Sequence, residues 1–301
     1  MSRLIIFDGN AILHRAFHAL PPMYTPTEEP INAIYGLVGM LFKVILDLSP
    51  SHVCFAFDTK EPTFRNELYV EYQTNRSETA SELIGQFDKA RDCVTAFNIP
   101  FYEKPGYEAD DVIGTITKTF ATDDSVDEMI VVTGDRDMLQ LVTPKVSLYM
   151  PQGGFQNAKR FGKEETKERM GVYPEFIVDY KALVGDPSDN YKGVPGIGPK
   201  TAISLIETYG HLDTIYEHVD SLAPKLKEKL VVHKDSAYLS HKLATIVNDV
   251  PVDFELEKMS NWKTDRPEVI ELFTNYGFKT LTRRAYEVAN SIQLSKQQTL
   301  L

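Results

Sequence analysis

Arg3-Leu4-Ile5-Ile6-Phe7-Asp8 opens the chain with an unbroken apolar run that ends on an acid. Apolar residues without alternation, over this length, read as a strand buried on both faces, as in parallel sheets. Two later stretches have the same form: His52–Phe57 runs into Asp58, and Met129–Thr133 runs into Gly134-Asp135-Arg136-Asp137. Val146–Tyr149 is expected as another strand, nearer an edge. Between them, Ile31–Leu48, Ser81–Phe97 and Ala109–Phe120 repeat apolar residues at helical spacing, and Pro50 closes the first. Alternating strands and helices predict an α/β fold with a mostly parallel sheet flanked by helices.

From about Lys163 the strand signals stop. Helical patterns follow at Phe176–Val184, Lys200–Tyr209, Leu212–Val219, Lys225–Val232, Tyr238–Asn248 and Pro267–Tyr276. The expected division is an α/β core over 1–162, a helical region over 163–290 and a flexible polar tail over 291–301. Lys60–Glu82 interrupts the rhythm of the core. It is polar, carries Arg65, Arg76 and five glutamates, and interleaves Phe64, Tyr69 and Tyr72. That is long for a βα connection, and such loops are either functional or merely solvated.

The 301 residues allow one large or two modest domains, and their net charge of −11 argues against a general basic coat for gripping nucleic acid. No apolar run is long enough to cross a membrane, and Leu4–Phe7 is too short for a signal peptide. Cys54 and Cys93 lack metal-ligand spacing and read as buried reduced thiols, which points to the cytoplasm.

A lone aspartate after a strand usually caps a turn or helix. Asp8, Asp58 and Asp135 at one edge of one sheet are harder to explain that way, because ligands of parallel sheets sit beyond the carboxyl ends of the strands. Glu108-Ala109-Asp110-Asp111 adds three acids at a helix start, more than a cap needs. Glu108 and Asp111 are expected on one face, with Asp110 pointing away to bind from the flank. Asp186 and Asp189 share a tight turn, and Asp137 follows Asp135. Nine crowded carboxylates call for a cation, and an all-oxygen set selects Mg²⁺ or Mn²⁺. Two such ions suit in-line phosphoryl chemistry. A phosphatase of the haloacid-dehalogenase kind needs a second Asp where Asn10 stands. His14 and His18 lack a third ligand and read as packing or solvent residues.

Gly193-Val194-Pro195-Gly196-Ile197-Gly198-Pro199-Lys200-Thr201-Ala202 has the helix–hairpin–helix pattern. Its glycines allow a tight turn with outward amides, which grip a phosphate without reading a base, and Lys200 adds charge. Gly193, Gly196, Gly198, Lys200 and Thr201 are therefore the expected DNA-binding residues. A backbone grip beside a carboxylate cluster indicates a structure-selective nuclease.

These motifs, with Leu4–Asn10, Phe64-Arg65 and Thr133–Asp137, occur in the order that resembles the 5′-nuclease (flap endonuclease) family, in the form of the 5′→3′ exonuclease domain of bacterial DNA polymerase I. The resemblance implies a PIN-like core and a 5′→3′ exonuclease and flap endonuclease activity used in primer removal and repair. It further implies that Asp8, Asp58, Glu108, Asp110, Asp111, Asp135, Asp137, Asp186 and Asp189 hold two or three Mg²⁺ ions. Asp186 and Asp189 would serve the more distant one. It makes 60–82 a helical arch over the 5′ strand, Arg65, Tyr72 and Arg76 catalytic, and the hairpin (about 185–209) a duplex clamp with a K⁺ ion on its carbonyls. The partner expected is DNA with a flap, nick, gap or RNA-primer junction, bound by a monomer. No polymerase segment fits within 301 residues, so a stand-alone member or an excised domain is expected.

One position departs from the pattern. The arch of the family reads Tyr-Lys-x-x-Arg, whereas this chain has Tyr72-Gln73-Thr74-Asn75-Arg76. A neutral amide in place of that lysine predicts slower cleavage, and leaves open a flap-binding module with weakened catalysis. A PIN-type ribonuclease would share the acids but lack the hairpin.

Overall fold

A buried sheet organises the computed structural model, whose description covers residues 1–154 and 157–299. In chain order the elements are β1 (Arg3–Asp8), α1 (Gly9–Ala19), α2 (Asn32–Leu48), β2 (His52–Ala56), α3 (Phe64–Leu68), α4 (Ser81–Ala96), β3 (Phe101–Tyr102), α5 (Ala109–Thr119), β4 (Glu128–Val132), β5 (Val146–Gly154) and β6 (Asn157–Phe161). Then come α6 (Lys163–Met170), α7 (Ile177–Val184), α8 (Pro199–Tyr209), α9 (Leu212–Glu217), α10 (Pro224–Val232), α11 (Lys234–Ala244), α12 (Leu256–Met259), α13 (Pro267–Asn275) and α14 (Lys279–Thr299).

The strands lie in the order β3-β2-β1-β4-β5-β6, parallel throughout except for β6, which returns antiparallel on β5. β5 is thus one place in from the edge, and β3 and β6 are edges that their short or polar sequences did not announce. Register decides the site. Asp8 pairs with Ala56 and Phe7 with Val132, so Asp8, Asp58 and the Thr133–Asp137 turn emerge together at the carboxyl end of the sheet.

Along β1, Leu4 and Ile6 face one core while Ile5 and Phe7 face the other. The first core is closed by α5 and by helices from α7 to α12. The second is closed by α1, α2 and α4, and by α13 and α14. Helices after Phe161 therefore belong to two packing groups on opposite faces of the sheet. Each fully buried Phe or Leu in these layers stabilises the fold by roughly 1.5–3 kcal/mol.

Two expectations change. The 291–301 stretch is helical through Thr299 in α14, because Ile292 continues the seam of Leu281, Ala285 and Val288 against the second core; residues 300–301 lie outside the described part. The helix expected to run to Asn248 stops at Ala244, because the next backbone groups are taken by side chains of the site, as described below. Cys54 and Cys93 are buried free thiols. Among the described residues, no helix is long and apolar enough to cross a membrane.

Candidate metal centre

β1 delivers Asp8 as the N-cap of α1. One of its oxygens accepts from the Ala11 amide at 3.0 Å and the other from the Thr133 hydroxyl at 2.7 Å. After β2, Asp58 accepts from the Ala109 amide at 2.7 Å, which fixes the start of α5 against the sheet. α5 then carries Glu108 at its N-cap and Asp110 in its first turn. After β4, Asp135 is held by its amide on Thr133 Oγ1, and its own carboxylate accepts from the Asp137 amide. Asp8, Asp58, Glu108, Asp110, Asp135, Asp137 and Asp189 line one cavity of about 570 Å³.

Burial and mutual repulsion make several of these acids harder to ionise. Asp8 is pushed up to about 7 by burial and then by Asp58 and Asp135. Burial likewise lifts Glu108 to about 7, against the pull of Arg65. Asp110 is raised well above the carboxylate range by burial and by Asp135, Asp8, Glu108 and Asp58, which makes it the electrostatic centre of the group.

Asp137, Asp186 and Asp189 form a second group, with carboxylate oxygens all within 4.8 Å of one another. Lys181 of α7, itself buried, reaches into it and donates to both Asp137 and Asp186. Burial would raise Asp186, but Lys181 and Ser188 outweigh it and hold the acid below its ordinary value. Arg76 pairs with Asp189. The Tyr72 hydroxyl lies 3.4 Å from Glu108 and 3.5 Å from Asp189, bridging the two groups; burial and those charges keep it protonated.

Asp111 is not one of the cavity acids. Both its oxygens take the Arg65 guanidinium in a bidentate pair at 2.7 and 2.8 Å, and they also accept from the Glu108 and Val247 amides. The facing predicted for Glu108-Ala109-Asp110-Asp111 is therefore reversed: Asp110 enters the cavity, while Asp111 sits at the N3 position and folds back as a capping box. Arg65 is consumed as well. Its remaining N–H groups meet Glu108 and the carbonyls of Leu243 and Thr245. With 2 % of its side chain exposed, it positions the acids and has no N–H left for a substrate.

The 60–82 stretch holds one five-residue helix, α3, followed by turns. It is not a continuous helical arch, because it is tied to the turn after Gly185: the Gln73 amide donates to the Asp189 carbonyl, Asn75 to Pro187, and Asn190 back to Glu71. Gln73 and Arg76 thereby form part of the cavity wall.

At the hairpin, Gly193 is buried. A side chain there would meet the backbone of Leu183 and Gly185 at 2.7 and 2.4 Å, and its amide donates to Ser240. It joins α7 to the hairpin, so its amide is not offered to a ligand. Gly196, Gly198, Lys200 and Thr201 stand at the surface or near it, and Pro199 begins α8.

Lys181 has no assignment from the sequence, and His14, read there as a packing or solvent residue, stands in the cavity wall. Lys181 is a lone cation in a short apolar helix whose partners lie 44 and 5 residues away, so no local spacing betrays it. His14 lines the cavity, and burial, His18 and Arg76 push it below its ordinary value, which leaves a neutral imidazole.

A sequence model of the 5′-3′ exonuclease N-terminal resolvase-like domain matches residues 3–171, and one of the 5′-3′ exonuclease C-terminal SAM fold matches 172–267. The chain belongs to the 5′-3′ exonuclease family. Among its relatives, DNA polymerase I of Bacillus subtilis is 38% identical over 299 residues, covering 99% of this chain and 34% of its own length. DNA polymerase I of Caldicellulosiruptor bescii is 40% identical over 284 residues, covering 94% and 33%. The chain thus spans about a third of the curated relatives it matches. A solved T5 5′-exonuclease with bound zinc shares the fold at 23% identity and a TM-score of 0.65, covering 96% of this chain and 99% of its own. The expected α/β nuclease core with a helical C-terminal region agrees with both family models.

Proposed function

We propose that this chain is a divalent-metal-dependent, structure-selective 5′-nuclease. It would hydrolyse DNA phosphodiesters at 5′ flaps and RNA-primer junctions, and trim 5′ ends as an exonuclease, in the cytoplasm and as a monomer. The observation that carries the reading is the convergence of seven of the nine predicted acids on one cavity. Acids raised to about 7 by burial and one another cannot all ionise at neutral pH unless a cation balances them. A donor set made of carboxylates alone fits Mg²⁺ or Mn²⁺, two or three ions in all.

Asp8, Glu108, Asp110 and Asp135 would hold one ion, and Asp137, Asp186 and Asp189 another. Such ions supply a nucleophilic water and charge for the leaving oxygen. The chain does the rest. Thr133 and Ala109 orient Asp8 and Asp58, and Arg65 aligns Glu108 through Asp111. Arg76 stands half-exposed at the cavity, where it can turn from Asp189 to a substrate phosphate. The Gly198 amide at the start of α8 would hold the duplex backbone. The T5 flap endonuclease, related in fold, has been solved with DNA and metal ions, which supports the substrate class.

The test is cleavage of a labelled 5′-flap duplex in Mg²⁺, beside EDTA and the Asp135→Asn variant. Cutting at the junction that both controls abolish is the expected result. Binding without Mg²⁺-dependent cutting would mark a binding module, and cutting of single-stranded RNA alone would mark a ribonuclease.

A further inference from the structure

We propose that Lys229 is the hairpin's own cation, so that duplex binding there requires no free monovalent ion. The inference rests on reading the hairpin as a duplex clamp. A tight turn that aims its amides at a phosphate necessarily carries carbonyl oxygens in the same few residues, and their negative ends oppose the anion. A positive charge on those oxygens offsets the opposition.

In this chain that charge is covalently attached. Lys229, on α10, donates from Nζ to the Gly196 carbonyl at 2.7 Å. Its stem lies over the same residue: a side chain on Gly196 would meet Lys229 Nζ at 2.7 Å and Cε at 3.1 Å. Gly196 has φ +82, so the turn presents this carbonyl in a conformation that favours glycine.

The neighbouring carbonyls are engaged too. Ser236 donates to Gly193, the Ile197 amide to Val194 and the Ala202 amide to Gly198. A K⁺ ion needs several carbonyl oxygens together; a second lone pair leaves the Gly193, Val194 and Gly198 oxygens open to one, but the Gly196 oxygen already holds a fixed positive charge. The ion would have to share the Gly196 oxygen with an ammonium group, against like-charge repulsion. The residues present therefore do not fit the K⁺ ion that the family resemblance implies.

The experiment measures duplex affinity in EDTA, where no cutting occurs, by fluorescence anisotropy in KCl, LiCl or choline chloride at one ionic strength. Holding ionic strength fixed removes the counterion effect common to all DNA binding. The wild-type chain should bind within about twofold in all three salts. Lys229→Met should weaken binding by about tenfold in LiCl and choline, the scale of one charge-assisted hydrogen bond, and regain most of it in KCl. Lys227→Met removes the same charge from the same helix, where Lys227 pairs with Asp220 at 2.8 Å, and should stay indifferent to the salt. Wild-type affinity that depends on K⁺ would overturn the proposal, as would a Lys229→Met variant that is unchanged or that K⁺ does not restore. No binding of the wild-type chain in any salt would remove the clamp itself, and the proposal with it.

Discussion

Asp8, Asp58, Asp110 and Asp135 of the cavity, and the group of Asp137, Asp186 and Asp189 that adjoins it, are chemically alike and electrostatically unlike. Among the described residues, no lysine or arginine forms an ion pair with any acid of the first set. The second set contains Lys181 within it and Arg76 at its rim. The first set therefore stores repulsion that the more distant Arg76 and Arg91 offset only at Asp58, and that protons or a diffusible cation would relieve. The second has two cations for its three acids, and an ion entering it must displace an ammonium group. On the proposed reading, the first group would load a cation readily and the second would resist one.

The largest expected effect breaks the first set. Asp110→Asn should lower flap cleavage by about 10³-fold, the scale of removing an electrostatic group from a reacting centre. The same variant should melt higher than wild type in EDTA, because it removes the acid whose ionisation the empty site penalises most. An Asp110→Asn protein that melts lower in EDTA would show that the acid stabilises the empty site.

Lys181→Met attacks the second set. Removing one partner of a buried pair costs about 3–5 kcal/mol, so the metal-free variant should lose a large part of its stability in urea. Mn²⁺ should then restore more of that loss than it adds to wild type. An equal Mn²⁺ gain in both proteins would mean that Lys181 does not compete for the site.

Acidity gives a smaller, graded contrast. Asp8, Glu108 and Asp137 hold protons up to about pH 7 when folded, but only to about 4 when unfolded. The folded state therefore binds more protons between pH 4 and 7, and its stability falls as pH rises through that window. Melting in EDTA should drop by several degrees from pH 5 to 7.5, and saturating Mg²⁺ should flatten the slope. A slope that Mg²⁺ leaves untouched would place these protons outside the metal centre.

The smallest effect concerns the wall between the two sets. Gln73→Lys restores a cation beside both, and single-turnover cleavage of a 5′ flap should rise by about tenfold, or 1.4 kcal/mol. No gain would mean that Arg76 already supplies the charge.

Much of this was legible in the sequence because the acids lie at the ends of strands, and strands buried on both faces are easy to read. Asp8, Asp58 and Asp135 follow from register alone. Asp110 and Asp111 were transposed because the helix starts at Glu108, so Asp111 falls at N3 and turns back to the Glu108 amide. That spacing of two acids three apart was visible as a capping box, but helical facing was read in its place. Lys181 was beyond reach, since its partner Asp137 is distant in the chain and meets it only through packing. α14 has no counterpart among the helical patterns read from the sequence, which end at Pro267–Tyr276, because Asn290 and Ser291 between Val288 and Ile292 hide the seam that the second core reveals.

Arg65 has a consequence for inheritance. Its guanidinium is satisfied by Asp111 from the resolvase-like part, and by the Leu243 and Thr245 carbonyls from the SAM-fold part. Separated at residue 171, the first part would keep Arg65 without two of its four partners, and the second would lose the donor to its Leu243 and Thr245 carbonyls. The two family units are therefore not interchangeable cassettes. A chimaera that takes each from a different relative inherits the seam around Arg65 as a compatibility test, and the pair has to be exchanged, duplicated or lost as one.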